Sequence, residues 1–130
     1  MSDGPPFEAL GHAGSDAYVG LEKFDNPGCL QVKYTSDEVM AKCPVTGQPD
    51  FYTVTIFLEG TEKLIESKSL KLFFNRFIEQ TFTLNTGIFC ENLAVWLRDQ
   101  VCEAIGAEEE SVEVLLTQKS RGGITIEARA

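Results

Sequence analysis

Histidine is nearly missing from this chain: His12 is the only one. The four cysteines, Cys29, Cys43, Cys90 and Cys102, form no CxxC pair, so the usual ligand spacing of a closed zinc site is not there and no metal is expected. No apolar run approaches the ~20 residues that a membrane-spanning helix needs. The opening residues, Met1-Ser2-Asp3-Gly4-Pro5-Pro6, have neither a basic start nor an apolar stretch, so a secretory signal is not expected. With nothing pointing to export, reduced thiols in a cytoplasmic protein are the default expectation. Positive charge is also scarce. Eleven Lys and Arg stand against 20 Asp and Glu, for a formal net charge of -9. That balance argues against long-range attraction to a nucleic-acid backbone or an anionic membrane, and leaves room only for a local basic pocket.

What is present is the composition of one globular domain. The chain has 130 residues, 43% hydrophobic and 24% charged, enough for a single core and not a disordered composition. Residues 1–28 are rich in Gly, Asp and Pro. They read as an extended lead-in ending at the turn signal Asn26-Pro27-Gly28, with one domain over 29–130.

Cys29 to Thr35 alternates apolar and polar residues, the pattern of a half-buried strand. Phe51 to Leu58 is a β-branched and aromatic run, a second strand, and the two are joined by a loop containing Pro44, Gly47 and Pro49. From Ser67 the period changes: Leu70, Phe73, Phe74, Phe77 and Ile78 share one helical face. A second helix spans Cys90 to Ile105, with the stripe Leu93, Trp96, Leu97, Val101 and Ile105 and with Gly106 as its C-terminal cap. Val112, Val114 and Leu116 alternate again, and Gly122-Gly123 precedes a last strand from Ile124 to Glu127. The order β-β-α-α-β-β predicts an α+β fold: a four-stranded antiparallel sheet with both helices on one face. Its two open edges favour assembly with further copies of the chain.

Four segments carry reactive or ligand-binding residue types. In Cys43-Pro44-Val45-Thr46-Gly47-Gln48-Pro49-Asp50, a thiol in a Pro/Gly-shaped loop and a carboxyl seven residues on could pair a nucleophile with a proton donor. An inert buried Cys and a turn-capping Asp fit the same spacing. In Glu66-Ser67-Lys68-Ser69-Leu70-Lys71, Ser67 can cap a helix whose free amides suit an anion, and Lys68 and Lys71 share one face. A solvated helix start fits equally. Glu91, just after Phe89-Cys90, either complements the helix dipole or accepts two N–H donors from a guanine-like edge. Ser120-Arg121-Gly122-Gly123 is either an ordinary hairpin turn or a close-approach turn from which Arg121 reaches a phosphate. His12 and the run Glu108-Glu109-Glu110 carry no functional reading.

Together these segments, with Phe51, Leu72-Phe73 and Ile124 completing them, resemble the NADPH-dependent 7-cyano-7-deazaguanine reductases, the nitrile reductases of queuosine biosynthesis. Order and spacing fit from about Leu10 to Glu127, and the Glu-Ser-Lys-Ser-Leu-Lys segment is that family's hallmark. The resemblance implies the tunnelling fold, subunits joined through sheet edges, and active sites between subunits. It implies that Cys43 attacks a nitrile to form a covalent thioimide and that Asp50 donates the proton. Ile65, Glu66, Ser67, Cys90 and Glu91 would bind the small-molecule substrate, and Ser67, Lys68, Arg121 and Gly122 would hold NADPH. No dinucleotide-binding glycine fingerprint is present, so NADPH would bind by another geometry. Two relatives in the same fold supply alternatives: an amidinotransferase acting on the same nitrile in tRNA, and a purine- or pterin-binding protein without turnover. The chain departs from the family at Cys90, where His usually stands, and in a longer stretch from Asn75 to Gly87. Cys90 beside Cys43 would also permit a reversible disulfide.

Overall fold

The computed structural model describes residues 20–42, 48–76 and 89–130. Cys43, the rest of the 43–47 segment, Phe77, Ile78 and His12 lie outside the described residues. The elements run β1 (Lys23–Asp25), β2 (Gln31–Lys42), β3 (Pro49–Glu59), β4 (Lys63–Ile65), α1 (Ser67–Asn75), α2 (Cys90–Ile105), β5 (Val112–Arg121) and β6 (Ile124–Arg129). A short 3-10 turn, Glu109–Ser111, leads into β5. Strands β2-β3-β5-β6, in that order, form the expected four-stranded antiparallel sheet, and β1 and β4 pair in a second, two-stranded sheet.

Strand alternation decides which face of the large sheet is covered. On β3, Tyr52, Val54, Ile56 and Leu58 are buried while the residues between them are not. Val112, Val114 and Leu116 of β5 stand opposite Leu58, Ile56 and Val54 and are buried with them. Helix α2 packs onto this face through Leu93, Leu97, Val101 and Ile105, residues spaced along one helical stripe. Helix α1 adds Leu70, Phe73 and Phe74, and the Phe73 ring stacks on Trp96 of α2 at 6.0 Å. The helix ends at Gly106, whose φ of 68° gives the left-handed cap that a side chain would strain.

Three features depart from the sequence expectation. Strand β2 is longer than the alternating run, because a bulge between Ser36 and Val39 lets the pairing continue to Lys42 opposite Pro49. Strand β1 falls inside the stretch read as lead-in, and β4 lies where only a connection was expected. Each has three residues, too few for a period to show. They are tied down by other means. Asn26 Oδ1 accepts from the Gly28 and Cys29 amides, closing the turn after β1, and Asn26 Nδ2 donates to Thr61 O beside β4. Lys63 and Asp25 form an ion pair across the two strands.

Leu97 is fully buried at the centre of α2. We expect Leu97→Ala to destabilise the fold by about 2–5 kcal/mol in urea unfolding, against about 0.5 kcal/mol or less for the exposed Asp99→Ala.

Candidate active site

The junction between β4 and α1 is built around one buried carboxylate. Glu66, 4% exposed, is the N-cap of α1. Its two oxygens accept from the Lys68 amide at 2.8 Å and the Ser69 amide at 2.7 Å. Ser67, expected as the cap, is instead the first helical residue and is exposed. The longer Glu side chain reaches both amides at once, and its charge sits at the positive end of the helix dipole. Amides of Lys68 and Ser69 that could have held an external anion are therefore already bonded within the chain.

Further bonds lock the same segment. Ser69 Oγ donates to Glu66 O at 2.7 Å and accepts from the Glu22 amide at 3.0 Å. The Glu66 amide donates to Glu22 O at 2.8 Å. On the opposite side, the Tyr34 hydroxyl donates to Ile65 O at 2.9 Å and accepts from the Ile65 amide at 3.0 Å. Burial pushes the Tyr34 hydroxyl above its ordinary pKa, so it remains a donor at neutral pH.

Two clefts open beside this junction. One, of about 590 Å³, is walled by Phe24, Val32, Tyr34, Ile65, Glu66 and Ser67 among others, and is largely apolar. The other, of about 370 Å³, is bordered by Tyr34, Ser36, Asp37, Ser67, Lys71 and Phe74 among others. Lys68 and Lys71 put two cations near Ser67 on a helix whose first turn carries no acidic residue.

The remaining candidates lie at the other end of the sheet. Asp50 pairs with Ala41, near the end of the β2–β3 ladder. Its position on β3 puts its side chain on the same face as Tyr52 and Val54, beneath the helices. Lys42, the last described residue of β2, pairs with Pro49, next to Asp50. The start of α2 lies over the rungs between Asp50 and the Tyr34 rung. Cys90 Sγ donates to Leu116 O at 3.6 Å, and the Leu116–Gln118 stretch is in register with Tyr52–Val54. Glu91 is exposed in the first turn of α2, where its charge suits the helix dipole. Gly122 and Gly123 form the two-residue turn between β5 and β6, with φ of 63° and 85°. That conformation is the one a tight hairpin demands, so the turn itself explains both glycines.

Cys90, one of the residues expected to bind substrate, opens α2. It is 1% exposed and points into the core. Burial first, then the neighbouring Glu91 charge, pushes its thiol from the ordinary 9.0 up to about 11. A buried neutral thiol is a poor partner for disulfide exchange, which also argues against a Cys43–Cys90 bridge. Among the described residues no group of three or more His, Cys, Asp or Glu is placed to hold a metal.

Within one chain, then, the candidates fall into two groups. Ile65, Glu66, Ser67 and Lys68 lie near Tyr34; Asp50 and Gly122 lie toward the far end, with the start of α2 over the rungs between. Tyr34 and Ala41 are seven residues apart on β2, which with its bulge is about 20 Å. What the sequence did not reveal is Tyr34. Its place in a strand pattern hides the fact that its hydroxyl crosses to another element.

The model of the QueF-like protein family matches residues 49–130. A protein of Chlorobium chlorochromatii named NADPH-dependent 7-cyano-7-deazaguanine reductase is 35% identical over 108 residues, 81% of this chain and 86% of that one. A protein of the same name from Frankia casuarinae is 34% identical over 120 residues, 92% of this chain and 90% of its own length. Another, from Syntrophobacter fumaroxidans, is 34% identical over 110 residues, and the match spans only 66% of its length. Among solved structures, the apo form of an archaeosine synthase described as QueF-Like aligns with a TM-score of 0.62 over 79% of this chain and 93% of that one. At 17% identity that likeness shows the fold, a tunnelling-fold arrangement of sheet and helices, and nothing finer.

Two measurements test this geometry. Replacing Glu66 by Ala should cost about 1–2 kcal/mol in urea unfolding, the range for a lost N-cap. The Cys90 thiol contributes stability that is present below pH 9 and is lost as pH rises toward 11, since only the unfolded chain ionises readily in that window. Thermal melting should accordingly fall more steeply between pH 9 and 11 for the wild type than for Cys90→Ala.

Proposed function

The chain belongs to the QueF-like protein family, and on that footing we propose that it is a cytoplasmic enzyme reducing the nitrile of 7-cyano-7-deazaguanine to an aminomethyl group with NADPH, in queuosine biosynthesis. What supports this reading is the family match over residues 49–130, together with Asp50 standing on the rung next to Lys42–Pro49, the last described pair before Cys43 in sequence.

A nitrile carbon is a weak electrophile. Cys43 Sγ adds to it, forming a C–S bond, while the nitrile nitrogen takes a proton from Asp50. The product is a thioimide whose C=N bond is easier to reduce. NADPH, when bound, supplies hydride, and two equivalents account for the four electrons that separate nitrile from amine. The first hydride would make the thioimide carbon tetrahedral, expulsion of the Cys43 thiolate would then leave an imine, and the second hydride with a further proton from water would give the amine. Glu91, exposed and acidic, accepts the N–H edge of the deazaguanine. Ile65, Glu66 and Ser67 wall the apolar cleft that takes its ring. Glu66 does so as part of a fixed wall, since its oxygens are engaged by the α1 amides.

The donor set near α1 fits NADPH through side chains rather than backbone. Ser67 is exposed, Lys68 and Lys71 follow on the same helix, and the Lys68 and Ser69 amides are taken by Glu66. Ser67 and Lys68, with Lys71, would hold its anionic groups. Arg121 and Gly122 at the β5–β6 turn would complete the grip.

Because the two groups of residues are about 20 Å apart along the sheet, a pocket that uses both takes them from different copies of the chain. The outer edges of β2 and β6, which have no strand neighbour among the described residues, would provide the means of assembly, with the sites between subunits. The substrate is a small base; direct nucleic-acid binding is disfavoured by the net charge of -9.

Incubation with 7-cyano-7-deazaguanine should give a protein whose Cys43 peptide is heavier by the mass of the base. Adding NADPH should release the amine with two NADPH oxidised per product, and Cys43→Ala should show neither. No adduct on the wild type, or an undiminished adduct on Cys43→Ala, would overturn the proposal. An adduct that forms while NADPH stays intact would replace it with binding or amidino transfer.

A further inference from the structure

We propose that Tyr34 is a positioning residue of this site: its hydroxyl clamps the Ile65 backbone and its ring divides the apolar cleft from the cleft bordered by Lys71. This rests on the reductase reading above and adds a residue to it.

Strand β4 has three residues and one strand partner, with Ile65 opposite Lys23 of β1. Left there, the second edge of β4 would end in an unpaired amide and carbonyl. The Tyr34 hydroxyl takes both, donating to Ile65 O at 2.9 Å and accepting from Ile65 N at 3.0 Å. A single oxygen thus does for Ile65 what a neighbouring strand does elsewhere. It reaches there from β2, where Tyr34 pairs with Ile56 of the inner strand β3, so the clamp ties β4 to the four-stranded sheet. Glu66 and Ser67 follow Ile65 directly, and their placement inherits that reference.

The ring has a separate role. Among the described residues, only Tyr34 and Ser67 border both clefts. Ser67 is at the rim, on the exposed start of α1. The Tyr34 ring is therefore the partition. If the base occupies the apolar side and the cofactor approaches from the side of Lys71, the ring fixes the separation between them.

Hydroxyl and ring are separable by substitution. Tyr34→Phe keeps the partition and removes the clamp. Exchange of the Ile65 amide with solvent deuterium should accelerate about five- to tenfold, the equivalent of one lost hydrogen bond. KM for the nitrile should rise by a similar factor while kcat stays within about twofold, because the wall is displaced but the reacting groups are not. Tyr34→Leu removes the partition as well, and KM for NADPH should then rise too. A purely structural tyrosine would lower the melting temperature in both variants and leave both KM values alone; that result overturns the proposal, as does unchanged Ile65 exchange in Tyr34→Phe. Wild-type protein without turnover would sink the reductase reading and this role with it. Wild-type turnover with an unaltered KM in Tyr34→Phe would sink this role only.

Discussion

A carboxylate almost without solvent, Glu66, is the constraint on which the site depends. Burying a charge is costly unless it is fully hydrogen-bonded. Here the compensation comes from two α1 amides and the helix dipole, and it holds only while α1 starts where it does. Ser69, on the first turn of the same helix, links back to both Glu66 and Glu22, so β1 and α1 are fastened at one point. Tyr34 fastens the same point to the large sheet. The junction is therefore over-determined: β1, β2, β4 and α1 all meet within a few residues, and none can shift without exposing a buried polar group. Such rigidity suits a wall against which a planar ligand is to be held.

Rigidity at the junction makes the separation along the sheet more telling. Neither α1 nor the β2–β3 ladder can slide to bring Ser67 toward Asp50, because each is fixed by register or by caps. The long edge of β2 and the shorter edge of β6 both lack a strand neighbour among the described residues. On the open face, Phe51, at the Asp50 end of β3, is half-exposed. Edge pairing would satisfy backbone groups, and the bulge at Asp37–Glu38 limits how far along β2 it can run.

Sequence patterns disclosed the elements that are long enough to have a period. Helix α2 was bounded correctly at both ends, since its apolar stripe stops at Ile105 and Gly106 can take a left-handed φ. The four sheet strands were visible as alternation, although the bulge hid the second half of β2. Strands β1 and β4 were invisible because three residues carry no period and their stability comes from side chains distant in sequence. The cap was misassigned for a related reason. Ser is a good N-cap in general, but at this site Ser67 competes with a Glu one residue earlier whose reach gives two charge-assisted bonds in place of one. Of the candidate site, the residue types and segments were legible; that they fall into two distant groups was not, because it follows from strand register.

Cys90 shows how a departure at one position alters what its neighbours must do. An imidazole there would be able to exchange protons near neutral pH. The thiol is not: it is buried, it donates to Leu116 O, and burial pushes its pKa up to about 11. It fills the space at the first turn of α2. The chain's only histidine, His12, is 38 positions upstream of Asp50 in sequence and carries no reading that would bring it there. In the proposed reaction the proton supply at this end of the sheet thus rests on carboxyl groups, Asp50 foremost, together with water. The first proton must arrive as the C–S bond forms, when negative charge builds on the nitrile nitrogen. A donor fixed on a paired strand, one rung from the segment that holds the nucleophile, is suited to that timing. A donor on the exposed first turn of α2, such as Glu91, is suited instead to holding the base.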